Sequence, residues 1–150
     1  MDQEYVAGFM FDYPLQRVAL IKKTHPKWQA GKLNGIGGHI EDGETPVEAM
    51  VREFEEETGF QTEADLWFNY AKISEQGEFT VHFFVTTAFS SQLNELKSTT
   101  DEEVFIIPVT EITGFKTIDN LPWLIPLAID LITDGRPEFC EVTYPERQPA

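Results

Sequence analysis

Short stretches rich in β-branched, aromatic and other apolar residues recur along this 150-residue chain, and polar segments separate them. Each such stretch predicts a β-strand. The stretches are residues 5–11, 17–22, 66–73, 78–89 and 104–109, with a last one at 139–144. Residues 31–40 alternate small and apolar side chains and contain four glycines, and we expect them to form a third strand.

Two segments carry the signals of helices. In the first, residues 46–58, a capping box at residues 45–48 places Pro46 at the first helical position, and Gly59 supplies the stop. The second, residues 121–133, ends before an Asp-Gly pair. Apolar residues three, four and seven positions apart predict that the first helix packs on the sheet, and they are Val47, Met50, Val51 and Phe54.

The order of these elements predicts an α/β fold, an α/β/α sandwich with a mixed central β-sheet and helices on both faces. A chain of this length without repeats or linkers predicts a single domain over residues 1–150. Cys140 is the only cysteine, and no secretion signal or run of eighteen apolar residues occurs. We therefore expect a cytoplasmic protein that does not enter a membrane, either a monomer or a homodimer.

The charge of the chain is strongly negative, with 26 acidic and 11 basic residues and a net charge of −15. Such a protein is a poor partner for duplex nucleic acid, whose binding depends on Lys and Arg that neutralise phosphates. Eight of the acids lie within residues 41–57. Solubility does not require this clustering, whereas binding of a cation does.

Three acids of the first helix, Glu53, Glu56 and Glu57, are separated by three and four residues. This spacing predicts that their carboxylates project from one face of the helix, opposite the apolar stripe. Like charges so placed destabilise an isolated helix, and a divalent cation that prefers oxygen ligands, such as Mg²⁺, removes the penalty. The simpler alternative is an acidic face that is merely solvated.

The residues around these acids extend the pattern. It reads Gly38, Glu44, Arg52-Glu53-Phe54, Glu56-Glu57 and Gly59-Phe60, which matches the signature of the Nudix family at every fixed position. The chain resembles that family along almost its whole length, which implies the Nudix fold. The resemblance also implies the ligands of Mg²⁺, or of Mn²⁺ as an alternative: Glu53, Glu56, Glu57 and the Gly37 carbonyl.

The same resemblance implies supporting roles for other residues of the motif. Glu44 and Arg52 would form a pair that orients the catalytic glutamates. Gly38 would allow a tight turn before the helix, and Gly59 would end the helix in a left-handed conformation.

The chemistry that the family resemblance implies is hydrolysis of a phosphoanhydride bond by a water molecule. Metal ions neutralise the phosphate oxygens and lower the pKa of the water, and a carboxylate accepts its proton. Glu53 is one candidate for this base. Glu102 is another, because it resembles a distal acid of several MutT-like enzymes; the alternative is an acid on a surface loop.

Residues 31–38, GKLNGIGG, resemble a segment of the oxidised-purine nucleoside triphosphatases, which are MutT-like members of the family. The resemblance implies that Asn34 contacts the nucleotide and that Lys23 lies near it. Asn offers both a donor and an acceptor to a base or sugar. The alternatives are an Asn that only shapes a turn before Gly35 and a lysine that only faces solvent.

Residues 115–123 resemble the base-recognition segment of the same enzymes, which implies that Asp119 and Asn120 read the base. The alternative for Asn120 is the N-cap of the second helix. Thr117 departs from the pattern, because human-type enzymes have a stacking tryptophan there. The aromatic residues that could replace it are Phe84, Trp28 and Tyr70.

The sequence thus favours a Mg²⁺-dependent hydrolase that converts a nucleoside triphosphate to a monophosphate and pyrophosphate, with an oxidised purine such as 8-oxo-dGTP as a candidate substrate. Cleavage of ADP-ribose or a dinucleoside polyphosphate is the alternative within the enzyme class. A nucleotide-sensing domain without catalysis is the alternative outside it.

Overall fold

The structure is a computed structural model that describes residues 3–135 and 139–146. Within these residues the strands and α-helices follow in the order β1 (Gln3–Asp12), β2 (Arg17–Lys22), β3 (Leu33–Asn34), β4 (Ile36–His39), α1 (Pro46–Thr58), β5 (Phe68–Glu75), β6 (Phe79–Ala88), α2 (Ser90–Leu93), β7 (Glu103–Pro108), α3 (Leu121–Asp134) and β8 (Cys140–Tyr144). Two 3₁₀ turns lie at Ala64–Leu66 and Val109–Gly114.

The strands form one mixed sheet in the order β3-β2-β1-β6-β5-β8, with β4 also paired to β1 and β7 also paired to β2. The pairs β1–β6 and β5–β8 are parallel, and the other pairs are antiparallel. Strand β1 is the centre of the sheet, because it contacts β2, β4 and β6 along its length.

Both faces of the sheet are covered, and the alternation along β1 and β2 shows why. Phe9 and Leu20 point into a core that α3 closes, whereas Met10 and Ile21 point into a second core that α1 closes. A strand that is buried on both sides is apolar at nearly every position, as β1 and β2 are. The predicted sandwich with a mixed sheet is therefore confirmed.

Several boundaries differ from the sequence-based expectation. Residues 31–40 do not form one strand: β3 pairs with β2, β4 pairs with β1, and Gly35 separates them. The short helix α2 and the two 3₁₀ turns lie in segments without a clear apolar period, so they were not predicted. Across the described ranges, no helix is long and apolar enough to cross a membrane.

Candidate active site

Helix α1 begins and ends as its sequence predicts. The Thr45 hydroxyl accepts a hydrogen bond from Glu48 N at 3.3 Å, and Glu48 Oε1 accepts one from Thr45 N at 2.8 Å. Gly59 adopts the left-handed conformation with φ 75°, and its N–H donates to the Glu55 carbonyl. These caps fix the helix ends, so the side chains between them have a defined direction.

The three glutamates of α1 do not lie opposite its apolar stripe, which corrects the sequence-based expectation. Glu56 is exposed, with 55% of its side chain accessible, but Glu53 is 12% and Glu57 is 9% accessible. Glu53 and Glu57 follow Met50 and Phe54 by three residues, so both lie next to the side of the helix that packs in the core. Their carboxylates therefore lie at the margin between the helix and its neighbours.

Two glycines of β4 make room for this arrangement. A Cβ on Gly38 would lie 2.6 Å from Glu53 Oε1, and a Cβ on Gly37 would overlap the backbone carbonyl of Val6 on β1. Gly38 lies within a strand and not in a tight turn. Its role in the fold is therefore to let the Glu53 carboxylate approach the strand, which corrects the turn that the sequence suggested.

Arg52 connects the glutamates to each other and to β4. Its guanidinium donates to both carboxylate oxygens of Glu44, at 2.7 and 2.9 Å, to Glu53 Oε1 at 3.0 Å and to the His39 carbonyl at 2.9 Å. It also reaches both oxygens of Glu56 at 3.3 Å. A bidentate pair of this kind fixes geometry as well as charge.

The contacts and the burial of these side chains shift their pKa values. The hydrogen bond from Arg52 lowers the pKa of Glu44, and the same bond raises the pKa of Arg52. Burial raises the pKa of Glu53 and of Glu57, and the donors that they contact only partly offset it. Glu53 and Glu57, with raised pKa values and a third carboxylate beside them, favour a site for a cation.

A loop formed by residues 97–102 covers the C-terminal turn of α1. The Thr100 hydroxyl donates to Glu57 Oε2 at 2.7 Å, and it accepts a hydrogen bond from Glu102 N at 3.1 Å. The Thr99 hydroxyl donates to the Glu56 carbonyl, and Thr99 N donates to the Glu57 carbonyl. This loop therefore holds Glu57 in place, although Thr100 and Glu57 are 43 residues apart in the chain.

Glu102 is buried, with 3% exposure, so it is not an acid on a surface loop. Its carboxylate accepts hydrogen bonds from Lys23 Nζ at 3.1 Å and from Thr24 N at 2.6 Å. Burial would raise the pKa of Glu102, but these donors outweigh it and the pKa is lowered. The resemblance implied that Lys23 lies near the nucleotide; in the structure its ammonium contacts Glu102.

The donor set of this region fits an oxygen-preferring divalent cation such as Mg²⁺. Three carboxylates of α1 lie beside β4, where Gly37 and Gly38 have no side chains that would fill the space. Within the part of the chain that the structure describes, no three His, Cys, Asp or Glu side chains are arranged so that they could hold a metal ion together. To bind the cation, the Glu56 carboxylate would have to give up its contact with Arg52. We call Gly37, Gly38, Arg52, Glu53, Glu56 and Glu57 the carboxylate side.

These residues line a cleft of about 1510 Å³, and the same cleft is lined by Asn34, Asp119 and Asn120, which we call the amide side. The segment before Asp119 reaches Asn34 because Leu33 exchanges backbone hydrogen bonds with Lys116 and Ile118. Because the two sides line the same cleft, one ligand of nucleotide size can contact both of them.

On the amide side, Asn34 shapes its own loop: its Oδ1 accepts a hydrogen bond from Gly35 N at 2.7 Å, and its Nδ2 donates to Gln29 at 3.2 Å. Asn120 occupies the N-cap position of α3, but its side chain makes no capping hydrogen bond. The side-chain cap that was the alternative for Asn120 is therefore absent. Its Oδ1 accepts from the Trp123 indole and the Tyr144 hydroxyl instead.

The candidate stacking residues differ in their exposure to the cleft. Phe84 and Tyr70 are buried in the two cores, so neither can stack on a ligand. Trp28 is 62% exposed, and Tyr144 is 42% exposed; both line the cleft. Sequence reasoning missed Tyr144, and it missed Thr100, because neither lies in a recognisable motif.

Comparisons with known proteins show which family and which fold the chain resembles. A family model described as the NUDIX domain matches residues 3–125. A curated 8-oxo-dGTP diphosphatase of Proteus vulgaris is 37% identical over 62 residues, which is 41% of this chain and 55% of that protein. The chain thus spans about half the length of this relative.

Solved structures show the same fold at low sequence identity. One is from a study of MutT of Aliivibrio salmonicida and Vibrio cholerae, with a TM-score of 0.69, 23% identity, and coverage of 86% of this chain and 98% of that chain. Another is MutT of Bacillus halodurans, with a TM-score of 0.69, 18% identity, and coverage of 95% and 89%. The NUDIX domain of Shewanella oneidensis NrtR, solved with ADP ribose, has a TM-score of 0.73, 14% identity, and coverage of 88% and 89%.

Proposed function

The chain belongs to the Nudix hydrolase family, and we propose that it is a Mg²⁺-dependent enzyme that cleaves a nucleoside triphosphate to a monophosphate and pyrophosphate. The observation that carries the proposal is the intact carboxylate side, in which Glu57 is buried, the Glu53 side chain is 12% accessible, and Arg52 contacts both Glu53 and Glu56. A domain that only senses a nucleotide has no need to keep these like charges together, because their repulsion costs stability.

Glu53, Glu56 and Glu57, with the Gly37 carbonyl, would hold Mg²⁺. When bound, the ion supplies charge neutralisation for the phosphate oxygens and lowers the pKa of the attacking water. Arg52 keeps Glu53 in place through the Glu44 pair and the His39 carbonyl. We assign the base to Glu53, because burial raises its pKa, whereas the donors Lys23 and Thr24 lower the pKa of Glu102.

For the substrate we propose a purine nucleoside triphosphate, with 8-oxo-dGTP the first to test. The partial likeness to the Proteus vulgaris diphosphatase supports this choice. The amide side supports it as well, since Asn34, Asp119 and Asn120 place hydrogen-bonding groups in the same cleft as the glutamates.

The test is hydrolysis of 8-oxo-dGTP, dGTP and dATP with and without Mg²⁺, with the products identified. We expect monophosphate and pyrophosphate, formed only with the metal. Glu57→Gln should lower kcat about 10²- to 10⁴-fold, whereas Glu55→Gln, a change at an exposed position on the same helix, should leave it unchanged. Mg²⁺ should also raise the melting temperature of the wild type and not that of Glu57→Gln.

Other outcomes would redirect the proposal. If the protein releases AMP from ADP-ribose faster than it hydrolyses any triphosphate, the substrate is ADP-ribose and not a nucleoside triphosphate. Tight nucleotide binding without product over hours would indicate a sensing domain. Hydrolysis that persists in Glu57→Gln would refute the metal assignment.

A further inference from the structure

The side chain of Asn120 is held from one side by two donors that come from different elements. Trp123 Nε1, one turn along α3, donates to Asn120 Oδ1 at 3.2 Å. The Tyr144 hydroxyl, at the end of β8, approaches the same oxygen at 3.4 Å. In the described part of the chain, Asn120 Nδ2 makes no hydrogen bond, and the residue lines the cleft.

This contact determines which way the amide is turned. An indole N–H can donate a hydrogen bond but cannot accept one, so the amide atom that faces Trp123 must be the oxygen. The nitrogen, with its two N–H groups, is then the atom left for a ligand. The Tyr144 hydroxyl is farther away, and its contribution is the weaker one.

We propose that Trp123 and Tyr144 are positioning residues that lock the Asn120 amide, so that the cleft offers a donor there and selects a base with an acceptor at that point. The identity of the ligand as a nucleotide rests on the proposed function, but the orientation of the amide does not. An unlocked asparagine can rotate and offer either its oxygen or its nitrogen, and it then discriminates poorly.

Asp119 supplies the complementary group. Its side chain is exposed, lines the cleft and, among the described residues, makes no hydrogen bond. A carboxylate accepts hydrogen bonds, so the amide side presents a donor next to an acceptor. A 6-oxopurine, with a keto oxygen beside a ring N–H, matches this pair. A 6-aminopurine would place its N–H groups against those of Asn120, which leaves these donors without an acceptor.

The test is the affinity of the wild-type protein for IMP and AMP by calorimetry, because these ligands differ only in that edge of the base. We expect IMP to bind about tenfold more tightly. Trp123→Phe, which removes the donor and keeps an aromatic ring, should bring the ratio close to one. Tyr144→Phe should lower it by about twofold, and Tyr13→Phe, at an exposed tyrosine that does not line the cleft, should leave it unchanged.

Asn120→Asp gives a sharper test, because it replaces the donor by an acceptor and should reverse the preference towards AMP. A change in melting temperature alone does not alter a ratio of affinities, so loss of packing at Trp123 does not mimic the effect. Equal affinity in the wild type, no measurable binding of either ligand, or an unchanged ratio in Trp123→Phe would each refute the proposal.

Binding of the monophosphates requires no turnover, so this experiment is independent of the hydrolysis assay. A preference for IMP without hydrolysis of ITP would support the proposed positioning of Asn120 and refute the proposed hydrolase activity. Hydrolysis of both ITP and ATP at equal kcat/KM, with equal affinity for IMP and AMP, would support the enzyme and refute the lock.

Discussion

The two sides of the cleft are built in different ways. The carboxylate side comes mostly from one helix and the strand beside it, and a single residue, Arg52, contacts two of its acids, Glu53 and Glu56. The amide side is assembled from β3 and from the segment before α3, and the end of β8 contacts it through Tyr144. A helix fixes relative positions within a few residues, whereas the amide side depends on the pairing of distant segments.

This difference predicts how the two sides respond to mutation. A change on the carboxylate side should lower the rate for every nucleotide by the same factor, because all share the phosphates. A change on the amide side should alter KM and selectivity, because only the base and sugar reach it. Mutations can test this division, beginning with the largest expected effect.

The largest effect is expected for Glu53→Gln. The amide cannot accept the proton of water, so kcat should fall about 10²- to 10⁴-fold for all substrates. The selectivity between dGTP and dATP should not change. Steady-state kinetics with Mg²⁺ measures both, and Glu55→Gln is the control. A changed selectivity would show that the two sides are not independent.

The next effect is expected for Arg52→Lys. A lysine keeps the charge but cannot donate to both oxygens of Glu44 and to Glu53 together, so the glutamates lose their fixed geometry. We expect kcat to fall about 10- to 100-fold and the affinity for Mg²⁺ to fall with it. Metal titration by calorimetry measures the affinity. An unchanged affinity would show that Arg52 acts on something other than the metal ligands.

A change on the amide side should behave differently. Asn34→Ala removes the hydrogen bonds to Gly35 N and to Gln29, and it removes a candidate contact to the ligand. We expect KM to rise about two- to tenfold with kcat nearly unchanged. Steady-state kinetics with the preferred triphosphate measures this, and a fall in kcat of the same size would contradict the division.

The sequence predicted the carboxylate side better than the amide side, for a physical reason. The caps of α1, its apolar stripe and its acids are local patterns, because helical neighbours are three or four residues apart. The position of Glu53 against Gly38 and the contact of Thr100 with Glu57 depend on packing between segments, 15 and 43 residues apart, which no local pattern records.

The same reasoning explains which alternatives fail on the amide side. The alternative for Asn120 was a helix cap, and only the approach of α3 and β8 shows that its oxygen faces Trp123 and Tyr144 instead. Phe84 is a plausible stacking residue by type, but its position on β6 turns it into the core beneath α1. The sequence identifies residues of the right chemistry, and the sheet pairing decides which of them reach the cleft.

Glu102 lines the same cleft, and among the variants Glu53→Gln, Glu57→Gln and Glu102→Gln the last should lower kcat least. Its carboxylate holds Lys23 and Thr24 N, and glutamine keeps only part of these contacts. If Glu53 is the base, kcat should fall less than tenfold. A fall of about 10²-fold or more would assign the base to Glu102 instead.

The same variant should lose stability in a way that depends on pH. Because the pKa of Glu102 is lowered in the folded protein, its charge stabilises the fold above the ordinary pKa of glutamate, and this stability is lost as the pH falls through the lowered pKa. At pH 7 we expect Glu102→Gln to cost about 1–3 kcal/mol, with a fall in melting temperature of about 3–10 °C. Glu103→Gln, at an exposed neighbouring position, should cost little at any pH. The difference between Glu102→Gln and the wild type should shrink in acid, and a difference that is constant with pH would show that Glu102 acts by packing and not by charge.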